Sequence, residues 1–327
     1  MPGDKATPAD RRWIEAADRL AFRARPHSRP NPAVGAILTR DGVPVARGWT
    51  QPGGRPHAEA MALDAAGDRA RGATAYVTLE PCAHDSARGP ACSDLLIEAG
   101  VARVVVAVAD PDPRTSGRGI ARLREAGIAV DLVESDAART ALAGYLTQRQ
   151  SGRPHVTLKL ATSLDGCIAL ASGESRWITG EVARAHVHSR RALADAILVG
   201  GGTWRADRPQ LDVRLPGLEV ASPRRVLLSR GVAPDGVRVL NAPAGIADLE
   251  DVQYLYVEGG AQTAAAFLAA DLVDGLHLYR APILIGGGRA SLGDLGLADL
   301  ADAHGRWRQV EARQLGSDAF AAYSRLR

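Results

Sequence analysis

Three cysteines, Cys82, Cys92 and Cys167, stand in 327 residues. So few thiols exclude a disulfide framework and point to a reduced compartment, where cysteine acts as thiolate. Aromatic residues are almost as scarce, at 4%, so the cores are expected to be mostly aliphatic. Nowhere is there an uncharged apolar stretch long enough to cross a bilayer, and residues 1–10 hold no apolar run that could serve as a signal. A cytoplasmic protein with no membrane partner is expected. The net charge is +3 with a pI near 8.9, but no basic block interleaves with aromatics as a nucleic-acid groove requires. Nucleic acid is therefore not an expected partner, and the basic tilt suits an anionic small substrate equally well. Fixed-period repeats and low-complexity tracts are missing too.

What is present is an ordinary globular balance of 46% hydrophobic and 24% charged residues, in a chain longer than one core usually organises. Two domains follow. Thr7, Pro8 and Asp10 read as N-cap, first-turn proline and N3 acid of a helix continued by Trp13, Ala16, Ala17, Leu20 and Ala21. Residues 33–39 and 43–49 flank Asp41-Gly42 as a hairpin, and a helix is predicted over 57–66. Apolar, β-branched runs at 74–79, 102–109 and 128–133, with a helical pattern at 92–99, complete an α/β layered domain. Ser151-Gly152-Arg153-Pro154 breaks the chain, which places the domains at 1–150 and 151–327. Beyond the break, strands at 155–161, 196–199, 225–228, 252–257 and 276–280 again alternate with helices.

His57-Ala58-Glu59 lies 22 residues before Pro81-Cys82, and Cys92 follows ten positions after Cys82. One imidazole and two thiols make a zinc ligand set. A catalytic zinc leaves a position for water and needs a nearby group to carry protons, and Glu59 is spaced for that role. Residues two apart diverge on a regular helix, so His57 must occupy the irregular start of its helix to share a pocket with Glu59. Pro81 predicts that Cys82 also opens a helix, where the dipole favours thiolate. Taken singly, these residues read as a surface pair and two small core cysteines; the four together in this order read as a metal site. His84, an extra imidazole in a polar loop, reads as a substrate contact or an exposed side chain rather than a ligand.

Pro30-Asn31-Pro32-Ala33-Val34-Gly35, His57-Ala58-Glu59-Ala60 and Ala73-Thr74-Ala75-Tyr76-Val77-Thr78-Leu79-Glu80-Pro81-Cys82 resemble the bifunctional riboflavin-biosynthesis deaminase/reductases, and the resemblance extends over nearly the whole length. It implies a cytidine-deaminase-like α/β/α domain followed by a dihydrofolate-reductase-like α/β domain. The implied first reaction is hydrolytic loss of ammonia at C2 of a diaminopyrimidine ribosylamine 5′-phosphate, with Glu59 moving protons and Asn31 touching substrate. Three departures stand out. The Cys82 to Cys92 loop is one residue longer than is usual and its 86–91 stretch matches loosely; Ala36 replaces a usual cysteine, and Thr50 a usual histidine.

In the second half, Lys159-Leu160-Ala161-Thr162-Ser163-Leu164-Asp165-Gly166 follows a predicted strand, and Gly173-Glu174-Ser175-Arg176-Trp177-Ile178-Thr179 closes the next loop. Two strand-to-glycine turns, Val199-Gly200-Gly201-Gly202-Thr203 and Val257-Glu258-Gly259-Gly260-Ala261-Gln262-Thr263, open helices with N–H groups available for phosphate. Neither fits Gly-x-Gly-x-x-Gly, and such glycines are usually just tight turns. The same family resemblance implies NADPH at Ala161, Trp177, Thr203, Asp207, Gly260, Ala261, Gln262 and Thr263. It implies substrate at Ser175, Arg191, Leu211, Arg214 and Glu258, the two arginines suiting a phosphate. Hydride would reach C1′ of the opened ribosylamine, with Lys159 and Asp207 as candidate proton-handling groups; Lys159 reads equally as a strand residue with a solvated amine. Arg214 to Glu258 spans 44 residues, about half the family's interval, as though a strand and helix were missing.

The spacing leaves two other readings. One is a deaminase of nucleic acid or free nucleosides carrying an unrelated appendage; the other is a zinc deaminase whose second half has become a binding or dimerisation module. The matched second set of motifs argues against both, and a homo-oligomer is expected.

Overall fold

The structure is a computed structural model that describes residues 6–84, 87–231 and 235–327. Residues 1–5, within the stretch read for a signal sequence, and Ser86 of the loosely matching loop lie outside the described residues. The chain divides into two compact units, Met1–Gly152 and Arg153–Arg327.

The first unit starts with α1 (Pro8–Ala21), whose end is closed by a capping box: the Thr7 hydroxyl accepts from the Asp10 N–H, and the Asp10 carboxylate accepts from the Thr7 N–H. β1 (Gly35–Arg40) and β2 (Val43–Trp49) then form an antiparallel hairpin across Asp41 and Gly42, both at positive φ. Next come α2 (Ala58–Ala66), β3 (Thr74–Val77), α3 (Cys92–Glu98), β4 (Arg103–Val106), α4 (Arg118–Glu125), β5 (Ala129–Leu132), α5 (Asp136–Ala141) and α6 (Ala143–Ser151). The sheet order is β2-β1-β3-β4-β5, with β3, β4 and β5 parallel.

Two glycines explain how closely helices cover this sheet. A Cβ on Gly35 would lie 2.0 Å from the Ala17 carbonyl oxygen of α1, and one on Gly48 would lie 2.2 Å from the Ala58 carbonyl oxygen of α2. Gly35 pairs with Trp49 and Gly48 with Ala36, so the two glycines face opposite sides of the pleat. Helices therefore lie on both faces. Val104, Val105 and Val106 of β4 are fully buried as a result, each stabilising the unit by roughly 1.5 kcal/mol or more.

In the second unit, β6 (His155–Thr162), β7 (Cys167–Ala169), α7 (Glu181–Arg191), β8 (Ala196–Gly200), α8 (Gly201–Asp207), β9 (Arg224–Leu228), β10 (Arg238–Leu240), β11 (Tyr254–Val257) and α9 (Ala261–Ala269) are followed by β12 (Gly275–Arg280), β13 (Arg289–Ala290), β14 (Trp307–Leu315) and β15 (Asp318–Arg325). Eight strands run in the order β10-β9-β8-β11-β6-β12-β15-β14. Only the β15 pairings are antiparallel; the remaining five are parallel. One face buries Val156, Leu158, Leu255 and Phe267, an aliphatic-rich core of the expected kind. Its opposite face differs. Tyr256, Tyr279 and Phe320 pack there with His186 and His277, so the few aromatics are concentrated rather than absent from the core.

The short interval after Arg214 still builds β9, β10 and β11, and the sheet passes through them unbroken. What the described residues of 229–253 lack is an α-helix; they hold one 3-10 turn, Pro243–Asp248. The two ends of the unit meet at Asp274, whose carboxylate accepts from Arg153 (2.7 and 2.9 Å), the Val156 N–H (2.8 Å) and Arg327 (2.6 Å).

Candidate functional site

His57 is the N-cap of α2, with extended backbone (φ −70°, ψ 165°), and Glu59 is the second helical residue. That break in helical geometry lets two side chains of one tripeptide enter one pocket. Cys92 opens α3, but Cys82 opens no helix; it lies in the loop after β3. The expectation from Pro81 therefore fails there, because proline fixes its own φ and does not oblige the chain to continue helically. The donor that favours thiolate comes instead from α3, whose Cys92 N–H lies 3.2 Å from the Cys82 sulphur.

His57 Nδ1 is 3.2 Å from the Cys92 sulphur and 3.7 Å from that of Cys82, and the three donor atoms lie within 4.8 Å of one another. Both sulphurs are buried. A hydrogen bond from Cys92 holds the Cys82 thiol below its ordinary range, while the same bond and burial push Cys92 up. Glu59 is buried beside them, and burial pushes its carboxyl up. Two soft donors and one borderline donor at this separation, next to a buried carboxyl, fit zinc.

Asn31 stands on the other side of the imidazole. Its Nδ2 donates to the Gly54 carbonyl (2.9 Å) and lies 3.0 Å from His57 Nε2. Gly54, at φ +84°, has no room for a Cβ, which would sit 2.6 Å from the Asn31 side chain. His84 stands apart from the three-donor cluster, 3.4 Å from the Thr115 hydroxyl. The departures at positions 36 and 50 are absorbed by packing: Ala36 is a core residue of β1, and the buried Thr50 hydroxyl donates to Pro32 O and accepts from the Val34 N–H. The longer cysteine loop is tied across to residues 53–55, Arg88 donating to Gly53 O and Arg55 to Pro90 O.

In the second unit a cluster forms around Glu258, just past the end of β11. Arg191 grips its carboxylate with two bonds of 2.6 and 2.9 Å, and Lys159, one of only two lysines in the chain, approaches to 3.5 Å. Burial would raise the Glu258 carboxyl, but Lys159 and Arg191 overcome it and hold it at about 2. Arg191 also donates to Asp212 O, so its fork is occupied by the protein itself. Arg214 is different: its side chain is 59% exposed, with Asp212 at 3.5 Å. Leu211 is buried in a core cluster at positive φ, so only its backbone is offered outward.

The two glycine turns meet. A Cβ on Gly200 would lie 2.1 Å from Thr263 Oγ1 and one on Gly259 2.5 Å from Thr263 Cβ, while one on Gly260 would lie 3.6 Å from Thr203 Oγ1. Adjacent strands β8 and β11 thus end in one backbone-lined cradle, which suits a phosphate-bearing cofactor. Trp177 is 64% exposed with the Arg184 guanidinium 4.6 Å over its ring, Ser175 is half-buried nearby in sequence, and Arg176 donates to Asp207 O. Sequence reading passed over Ser229 and Arg205, which border the Gly201 end of this cradle. Their only signal was position, a hydroxyl directly after an apolar strand and a cation within a glycine-started helix.

The family model described as the cytidine and deoxycytidylate deaminase zinc-binding region matches residues 7–108, and that of the RibD C-terminal domain matches 154–321. The chain is 36% identical to riboflavin biosynthesis protein RibD of Aquifex aeolicus, covering 97% of this chain and 98% of the relative. With the Escherichia coli protein of that name the identity is 39% over 360 positions, covering 94% and 97%. Among solved structures, Acinetobacter baumannii RibD superposes with a TM-score of 0.87 at 35% identity, covering 98% of this chain and 99% of that one. A Thermotoga maritima diaminohydroxyphosphoribosylaminopyrimidine deaminase/5-amino-6-(5-phosphoribosylamino)uracil reductase gives 0.85 at 30%, covering 97% and 99%.

Proposed function

Since the chain belongs to the RibD family, and so joins a zinc-dependent deaminase to an NADPH-dependent reductase of riboflavin biosynthesis, we propose that His57, Cys82 and Cys92 hold the zinc and that Glu59 handles the protons. The observation that carries this reading is the convergence of one ring nitrogen and two sulphurs within 4.8 Å beside a buried carboxyl. Zinc supplies Lewis acidity that activates water near neutral pH. Glu59, its proton affinity raised by burial, would take a proton from the attacking water and deliver one to the departing amino group, so that water would replace the amine and ammonia would leave. Asn31, held by Gly54 beside His57, contacts the pyrimidine at the rim. The substrate is a diaminopyrimidine ribosylamine 5′-phosphate.

For the second reaction, Thr203 and Gly260, Ala261, Gln262 and Thr263 of the cradle would hold NADPH, with Ala161, Trp177 and Asp207 as further contacts. NADPH would supply hydride to C1′ of the opened ribosylamine, and one proton would go to its nitrogen. Lys159 beside Glu258 is placed to supply that proton, and Asp207 is the other candidate. Arg214 carries the exposed charge for the 5′-phosphate, with Ser175 and the Leu211 backbone around it; Arg191 serves by orienting Glu258. Protein purified without chelators should contain one zinc per chain and should catalyse both half-reactions when they are assayed separately. A zinc-free protein overturns the ligand assignment, and failure to oxidise NADPH with the deaminated pyrimidine overturns the reductase assignment.

We place the enzyme in the cytoplasm, where its three free cysteines stay reduced, and as a homo-oligomer, the latter supported by the nine-residue edge strand β14, largely exposed along its length. Light scattering that gives the monomer mass would overturn the oligomer reading.

A further inference from the structure

Glu80 is a buried carboxylate that the two reactions leave unused, and it lies two residues before Cys82. Its Oε1 accepts from the N–H groups of Gly119 (3.1 Å) and Ile120 (3.2 Å), and its Oε2 from those of Gly117 (3.1 Å) and Asp110 (3.2 Å). A carboxylate offers about four acceptor positions, so this one is saturated by backbone, all of it 30 to 40 residues downstream. The next residue is caught in the same contact. A Cβ on Gly119 would lie 2.0 Å from the Pro81 carbonyl oxygen, so Pro81 rests directly on the first turn of α4.

Cys82 is then seized from the other side. Its carbonyl accepts from the N–H and the hydroxyl of Ser93, both at 3.1 Å, and its sulphur accepts from the Cys92 N–H. Having no helix of its own, the 80–82 segment is stretched between the starts of α4 and α3. We propose that Glu80 is a positioning residue of the metal site: by binding the 80–82 segment to the start of α4 it fixes the Cys82 sulphur and sets how tightly zinc is held. The inference rests on Cys82 being a zinc ligand.

Glu80→Gln keeps the shape but turns one acceptor oxygen into a donor facing two N–H groups. In the full-length zinc-loaded protein, transfer of zinc to a chromophoric chelator should become ~10–100-fold more favourable, the usual effect of losing a group that orients a ligand. The cobalt-substituted variant should show an altered thiolate-to-metal charge-transfer band, while NADPH oxidation with the deaminated pyrimidine stays at the wild-type rate. Ile14→Ala, which opens a cavity in the same unit under α1, serves as comparison: it should destabilise the unit yet hold zinc as wild type does. Zinc retention within about twofold of wild type with an unchanged cobalt spectrum overturns the inference, as does equal zinc loss from Ile14→Ala. If Glu80→Gln does not fold, Glu80→Asp, which draws the charge back from α4, is read against the same outcomes. Wild-type protein without zinc would sink the ligand assignment instead.

Discussion

Glu59 combines two properties that rarely coexist in a carboxyl group: it is almost wholly removed from water, and it stands beside two buried sulphurs. Burial raises its affinity for a proton toward the working pH, where a general acid and base is most effective. Glu59→Gln should therefore retain zinc and lose deamination by at least ~100-fold, followed as ammonia release, while the reductase half-reaction is untouched. Near-normal ammonia release would remove Glu59 from the mechanism. The four residues of this site were legible in the sequence because metal and proton chemistry restrict both residue type and spacing. The setting of Cys82 was not legible, since it depends on Glu80 meeting backbone donors far along the chain. Arg191 and Arg214 likewise look alike as cations in a sequence. Only the fold shows that Glu258 occupies one of them and leaves the other exposed.

At the ends of β8 and β11 the glycines matter because two turns compete for the same space. Gly200→Ala would thrust a methyl to 2.1 Å from Thr263 Oγ1, so either α9 shifts or the turn opens. We expect the KM for NADPH to rise by roughly tenfold or more, about 1.4 kcal/mol of lost binding, with ammonia release unchanged. An unaltered KM would show that the cradle does not meet the cofactor. Sequence reading found both turns but not their contact. It also stopped at 276–280 and missed the hairpin of β14 and β15. The reason lies in β14, an edge strand whose residues are mostly exposed, so Arg308, Gln309, Arg313 and Gln314 dilute the alternation that betrays a half-buried strand. The capped helix α1 and the first hairpin were legible because their signals are local: Thr7 with Asp10, and Asp41 with Gly42.

The reductase unit carries an acid sensitivity that follows from its aromatic face. Burial, reinforced by Arg190, pushes His186 down from 6.5 to about 4 and His277 down to about 3; Glu311 opposes this at His186, and Arg313 adds to it. Both rings fold as neutral groups, Tyr279 against His186 (2.9 Å) and Tyr256 against His277 (3.1 Å). The unfolded chain binds protons at these sites below pH 6.5, so their contribution is complete above that value and is lost as pH falls toward 4. Thermal loss of NADPH oxidation should accordingly move to lower temperature between pH 7 and pH 5, and a constant midpoint over that interval would contradict the account.

Asp274 has a separate consequence. One carboxylate receives Arg153, at the start of the second unit, and Arg327, at its end, so the points where the chain enters and leaves that unit lie side by side. A body whose entrance and exit coincide can be lifted out as a cassette, grafted behind another catalyst, or reopened at a surface loop with its old ends sewn together.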